Sequence, residues 1–290
     1  MWDERKIKEE ISELSSLQDL VRSYEEIASI RMKKTRDSVL KNRRFLKEIR
    51  VIFEEVRASY ARQVKALASK RGKGRNQNVT FLSHNGKTVA VLLSANTGLY
   101  GDIIPRTFQK FMEEVKLGIS EVTIVGKYGL FLLNSVAPNV PFTFFELPDF
   151  AFSRGEVDAI VRHIVQYEEI HVYFGEFQSV IKQEPNEFSI SAEISLEKKG
   201  TENKISYIFE PSLEEILKFF ETAIFASLFD QTISEGQLAK FASRFMAMEK
   251  SDENIRKSLS NLQIEKLRVS HSTLARKQLN SQIGVLALLN

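Results

Sequence analysis

At 290 residues, with 43% hydrophobic and 27% charged residues, the chain is globular in composition, which excludes a disordered or membrane-embedded protein. It has no cysteine, so disulfides, thiolate metal sites and cysteine nucleophiles are excluded together. A net charge of +3 does not argue for nucleic acid without a concentrated patch, and no window approaches the roughly 18 apolar residues that span a bilayer.

The amino terminus, "MWDERKIKEE", is charged from its third residue, so no secretory signal is expected and the setting reads as cytosolic. From Met1 to Arg71 there is neither glycine nor proline; all six prolines lie between Pro105 and Pro211, and only Gly236 and Gly284 follow. These residues punctuate local structure, so the chain reads as helical arm, conventional domain, helical arm. The first arm, residues 1–71, carries an apolar stripe at Ile7, Ile11, Leu14, Leu17, Val21, Tyr24 and Ile27. About 65 residues at 1.5 Å each would make a helix on the order of 100 Å long. Within it, Arg31 to Arg50 holds nine basic and two acidic residues. That is a solvated face or a docking surface, and without a nucleic-acid recognition motif an acidic protein is the better partner.

Residues 72–87, including the end of "KRGKGRNQN", read as a link. Residues 88–210 change texture. "TVAVLLS" is a buried strand, Ile104 to Leu117 a helix, "EVTIVG" a strand, Val157 to Tyr167 a helix and "EIHVYFGEF" a strand. "EFSISAEISL" and "KISYIFE" alternate as edge strands do. The alternation predicts an α/β domain of Rossmann-like type with parallel strands at its centre. The last arm, residues 211–290, opens at Pro211 and Ser212 before Glu214 and Glu215. Its stripe runs through Leu213, Ile216, Leu217, Phe220, Ile224 and Leu228. It recurs at Ile255, Leu259 and Leu262, then at Leu274, Ile283 and Leu286. Arms this long at both ends predict a coiled coil in which the two wind around each other, with a helical bundle as the alternative.

Little chemistry is encoded. "GKT" at Gly86 lacks the glycine five residues earlier that a phosphate loop needs, where Phe81 stands. Gly98 and Gly101 follow a strand but give G-x-x-G, not a dinucleotide fingerprint, and read as a structural turn. His84, His163, His171 and His271 have no metal-ligand spacing, and no nucleophile elbow is present. No catalytic, cofactor-binding or metal-binding residue is expected.

The arrangement resembles the gamma subunit of F-type ATP synthases. "IKEEISELSSLQDLVRSYEEIASIRMKKTR" is similar to that family's opening helix, with Ile7, Lys8, Ile11 and Gln18 in register. "AVLLSANTGLYGDI" resembles its strand and G-L-C-G turn, with Tyr100 in place of the cysteine. "GKYGLFLLNSV", "YFGEFQSVIKQEP", "YIFEP" and "ASRFMAMEKSDEN" follow in the family's order. The resemblance implies a rotor shaft, its two long helices an antiparallel coiled coil, one copy per complex, inside a ring of alpha and beta subunits. Its α/β domain would sit on the epsilon subunit and the ring of c subunits, peripheral to the cytoplasmic face of a bacterial membrane. It implies no cofactor, no nucleic acid and no membrane insertion. Contacts between rotor and ring would fall at Tyr24, Arg31, Lys33, Lys34, Arg244, Arg268, His271 and Ala275. The family's Y-N-x-A-R-Q-x-x-I-T-x-E reads here as "KLRVSHSTLARK", with His271 for the glutamine, Ala275 for the threonine and Lys277 for the glutamate. That departure leaves room for a paralogous motor that hydrolyses ATP for another purpose. Outside the family, the alternatives are a nucleotide-binding α/β enzyme with helical extensions and a basic coiled-coil adaptor for nucleic acid.

Overall fold

A computed structural model describes residues 4–59, 85–118, 120–191 and 212–288. Helix α1 is Glu4–Ser59; then come β1 Thr88–Leu93, α2 Ile103–Leu117, β2 Ser120–Val125, α3 Lys127–Val136 and β3 Phe142–Phe145. Helix α4 Arg154–Ile164, strands β4 Glu169–Phe177 and β5 Gln183–Ser191, and helix α5 Leu213–Leu288 complete the chain. It divides into two compact units: Ile30–Ser243, and Met1–Ser29 with Arg244–Asn290. Boundaries expected near 71 and 210, and the strand "KISYIFE", lie outside the described residues.

In the unit Ile30–Ser243 the sheet order is β3-β2-β1-β4-β5, with the first four strands parallel and β5 antiparallel at the edge. The apolar run of β1 is buried on both faces, as a central parallel strand requires. Ala90 and Leu92 pack with Phe108 and Phe111 of α2 and Leu133 of α3 on one face. Val89, Val91 and Leu93 pack with α4 and with Phe225, Phe229 and Ile233 of α5 on the other. Strand β3 and the true start of α4 go beyond the sequence reading. Ser153 and Glu156 form a reciprocal capping box that starts the helix at Arg154, and it ends at Ile164 rather than Tyr167.

Helix α5 supplies much of this core. No residue from Ala223 to Ser243 is exposed, because α1 covers one side and the sheet the other. In this unit Leu46, Ile49, Phe53 and Val56 of α1 pack on Leu217 and Ile224 of α5. Asn42 Nδ2 donates to Asp230 at 2.9 Å, and Phe53 meets Phe220 at a centroid distance of 5.9 Å. Higher α1 numbers thus meet lower α5 numbers.

The other unit shows the same reversal: Tyr24 lies against Arg244, and Gln18 and Arg22 bind Asp252. Its apolar cluster is Val21, Met248 and Ile255, flanked by Leu14, Tyr24 and Leu259.

Along α1 the least exposed positions recur by alternate steps of four and three, from Ile7, Ile11, Leu14, Gln18 and Val21 to Leu46, Ile49, Phe53 and Val56. The sequence stripe is corrected at two points. Leu17 and Ile27 are 47% and 40% exposed, and Gln18 and Ala28 take the buried positions. Leu274, which the stripe of the last arm included, is 54% exposed.

Candidate functional site

An open α/β sheet ordinarily binds ligands beyond the carboxyl ends of the strands where the chain changes direction across the sheet. Here that place is between β1 and β4, and side chains of α5 occupy it. Lys240 Nζ donates to the Ser94 carbonyl at 2.8 Å, Gln237 Nε2 to the Asp149 carbonyl at 3.0 Å and Ser243 Oγ to the Tyr100 carbonyl at 2.8 Å. At Gly175 a Cβ would come within 2.7 Å of Ile103, with Ala239 also against it. Among Ser94, Leu147, Gln237 and Lys240 a cavity of about 20 Å³ remains, room for one water. A dinucleotide has no space there.

The centre of this junction is Asp149, 9% exposed. Its carboxylate accepts from the backbone N–H groups of Asn96 and Thr97, both at 3.0 Å, and from Thr97 Oγ1 at 2.9 Å. Lys240 Nζ stands 3.5 Å away. Burial pushes this carboxyl up, but the Lys240 charge and the donors of Asn96 and Thr97 more than offset it, and its pKa lies below the usual aspartate value. The neighbouring Phe150 ring receives Arg31 at 5.0 Å and Lys34 at 5.1 Å, and packs edge-on against Phe241 of α5 at 6.1 Å. Ala151 follows at φ +58°, a left-handed conformation that alanine adopts at a cost of about 1 kcal/mol. One short segment therefore ties the sheet to both long helices.

The two glycines of the turn after β1 differ. Gly101 has φ +60°, and a Cβ there would lie 2.5 Å from Ser243 Oγ and 3.2 Å from its carbonyl oxygen. Gly98 has open space around it, and the second left-handed residue of the turn is Leu99 at φ +65°.

Asp230 is half-buried and has the opposite electrostatics to Asp149. Burial pushes its pKa up, and neither the Asn42 hydrogen bond nor the Arg154 charge restores it. A carboxyl whose folded pKa is raised favours the fold in acid and opposes it once the pH exceeds that pKa. Asp230→Asn keeps an acceptor for Asn42 and is expected to raise Tm by about 2 °C at pH 7, the response to somewhat under 1 kcal/mol. The gain should disappear near pH 3; scanning calorimetry at the two pH values checks this, and a lower Tm at pH 7 would sink it.

Of the residues singled out in the sequence, Arg31 is half-buried in the Phe150 clamp, Lys34 reaches the same ring from an exposed position, and Lys33 is exposed. In the other unit Arg244 is 4% exposed, its guanidinium 5.9 Å from the ring of the half-buried Tyr24. Arg268, His271, Ala275 and Lys277 are exposed along α5. That unit also holds a buried polar group the sequence reading did not single out. Asp252 accepts from Gln18 Nε2 at 2.9 Å, Arg22 Nε at 3.1 Å and Arg256 Nη2 at 2.7 Å. The histidines of the α/β domain have local partners: His163 meets Thr123 Oγ1 at 3.2 Å, and His171 Nδ1 meets Glu187 at 2.8 Å.

Asp149 and Lys240 escaped the sequence because no motif marks them, and Asp252 lies in the segment "ASRFMAMEKSDEN" with no motif there to mark it as buried. Gln18 and Asp252 did leave a signal: each is a polar residue standing at a buried step of an otherwise apolar repeat.

These features define a mixed α/β protein built on two long helices, one of which fills the crevice where such sheets bind ligands. The profile of the ATP synthase family (ATP-synt) matches residues 3–270, and the chain belongs to that family. It is 20% identical over 298 residues to the ATP synthase gamma chain of Pelotomaculum thermopropionicum, covering 98% of each. With the gamma chain of Methylococcus capsulatus it shares 24% over 278 residues, 90% of each. Its fold is similar to a chain of the Tetrahymena thermophila mitochondrial ATP synthase central stalk and c-ring, with TM-score 0.56, 16% identity, and coverage of 80% of this chain and 99% of that one. A chain of the Euglena gracilis mitochondrial enzyme gives TM-score 0.52 at 14% identity, covering 89% and 94%.

Proposed function

We propose that this chain is the gamma subunit of a rotary ATP synthase, the central shaft that transmits torque between a membrane ring and the catalytic ring. The observation that carries the reading is the helix pair. Buried positions on α1 repeat every 3.5 residues and meet α5 in reversed order, the pattern of an antiparallel coiled coil. Such a rod resists twisting without any group that reacts, and the chain acts as a non-catalytic subunit.

Its partners are the alpha and beta subunits around the coiled coil, and the epsilon subunit and c-ring beside the α/β domain. The solved chains it is similar to come from assemblies with a central stalk, F1 and c-ring. Among the described residues no helix is long and apolar enough to cross a membrane. In this reading attachment is peripheral, at the cytoplasmic face of a bacterial membrane. On α5, Arg268, His271 and Ala275 are the ring contacts, and on α1 Lys33 and Lys34 meet an acidic surface of beta.

Exposed Lys277, where the family has an acid, keeps a second reading in play, a paralogous motor dedicated to hydrolysis. Coexpression with the alpha and beta subunits of the same cell tests the first. ATP hydrolysis by the ring is expected to rise at least tenfold with the chain present. An unchanged rate would count against the rotor. Proton- or sodium-driven ATP synthesis in vesicles separates the two motors, being present for a synthase and absent for the dedicated hydrolase.

A further inference from the structure

The loop after β1 is built like a phosphate-binding turn and is filled from within. Two consecutive backbone N–H groups, of Asn96 and Thr97, converge with the Thr97 hydroxyl on one point, and a lysine approaches the same point from α5. Donors so arranged form a nest for an oxyanion, and the lysine supplies the countercharge. What lies there is the carboxylate of Asp149. The same residue presents its carbonyl to Gln237, one helical turn before Lys240. Lys240 also reaches the Ser94 carbonyl at the end of β1.

We propose that Asp149 is a built-in anion that keys the α/β domain onto α5, and that this key, rather than apolar packing alone, carries torque from sheet to shaft. The inference rests on the rotor reading above. Apolar side chains in contact resist separation but slide with little angular preference. Charge-assisted hydrogen bonds to fixed backbone donors fix direction as well as distance. The key grips α5 along the stretch Phe229 to Ser243, where no residue is exposed. A twist of the domain about the helix must therefore stretch the bonds to Lys240 and Gln237.

The test uses the chain assembled with its alpha and beta subunits. The parent has no cysteine, so Lys116→Cys, exposed at the end of α2, takes a bead on the α/β domain. In Asp149→Ala and, separately, Lys240→Met, unloaded ATP hydrolysis is expected within twofold of the parent. The angular spread of the paused bead should widen at least twofold. Formate or acetate at about 50 mM should narrow it again in Asp149→Ala, where the nest is vacant, and leave Lys240→Met unchanged. Unaltered spread in both variants overturns the proposal, as does widening that formate does not reverse in Asp149→Ala. If the parent itself fails to rotate, the rotor reading falls, and the torque claim falls with it. The nest then answers to melting alone: formate should raise the Tm of Asp149→Ala and leave the parent unmoved, and equal response of both contradicts it.

Discussion

Gly126→Ala is expected to leave the α/β domain unfolded or nearly so, a loss of more than about 4 kcal/mol. Gly126 has φ +103° and ψ 139°, in territory that residues with a Cβ enter only at a cost of about 1–3 kcal/mol. Strain is the smaller part. A Cβ at this position would stand 2.8 Å from the Ala95 carbonyl oxygen and 2.9 Å from its carbon and its nitrogen. All three are backbone, and none can retreat. The Gly126 N–H donates to the Phe145 carbonyl at 3.0 Å, Tyr128 N–H to the Ala95 carbonyl at 2.8 Å and Lys127 N–H to Asn96 Oδ1 at 3.0 Å. Moving either strand end breaks the bonds that join β1, β2 and β3. Gly155→Ala is the matched control, on the first turn of α4 with nothing within 4 Å. It should stabilise by about 0.5–1 kcal/mol, because alanine is the better helix former. Urea unfolding followed by circular dichroism ranks the two. A Gly126→Ala midpoint within about 1 kcal/mol of the parent would refute the close-approach argument.

Asp252→Ala should destabilise by about 2–3 kcal/mol, nearly all of it through Gln18. Gln18 is 8% exposed and its amide donates to Asp252; left without an acceptor, a buried amide costs about 1–3 kcal/mol. Arg22 and Arg256 have side chains 50% and 63% exposed, so losing them as partners adds little. Asp252→Asn, which keeps an acceptor, should lose less. Gln18→Leu with Asp252→Leu should return close to the parent, since removing both polar partners leaves nothing unsatisfied. Burial pushes the Asp252 carboxyl up, but the hydrogen bonds of Gln18 and Arg22 and the Arg256 charge more than offset it, and its pKa is lowered. The sign follows. A depressed carboxyl contributes stability above the unfolded pKa of about 3.9, and that stability is lost as pH falls through the folded pKa. The gap between parent and Asp252→Ala should be constant from pH 6 to 8 and narrow in acid by its charge-dependent part alone, because the protonated carboxyl still offers Gln18 an acceptor oxygen. A gap that widened on acidification would contradict the assignment.

How much of this was legible follows from what each element depends on. The strands β1, β2 and β4 are short segments rich in β-branched, aromatic and other apolar residues, so composition reveals them. β3 is four residues between prolines and reads as loop until its neighbour β2 is placed. The α1 stripe drifted by one position at Leu17 and Ile27 because a search for large apolar residues passes over Gln18, Thr35 and Asn42. In the structure these polar residues stand at inward steps of the repeat. The junction at Asp149 was not legible at all. Its donors come from residues 96 and 97, its acceptor from 149 and its countercharge from 240, and only the folded sheet brings them together. The turn at Gly98 and Gly101 drew attention to the right loop for a different reason: the anion there belongs to the chain itself.

The central claim, that the chain is a shaft turned by a catalytic ring, is tested most directly by watching it turn. A bead on Lys116→Cys, with the chain seated in an immobilised ring of its own alpha and beta subunits, should rotate stepwise in one direction when ATP is added and stop when ATP is removed. A bead that only fluctuates, on a ring that hydrolyses ATP equally fast without the chain, would contradict it.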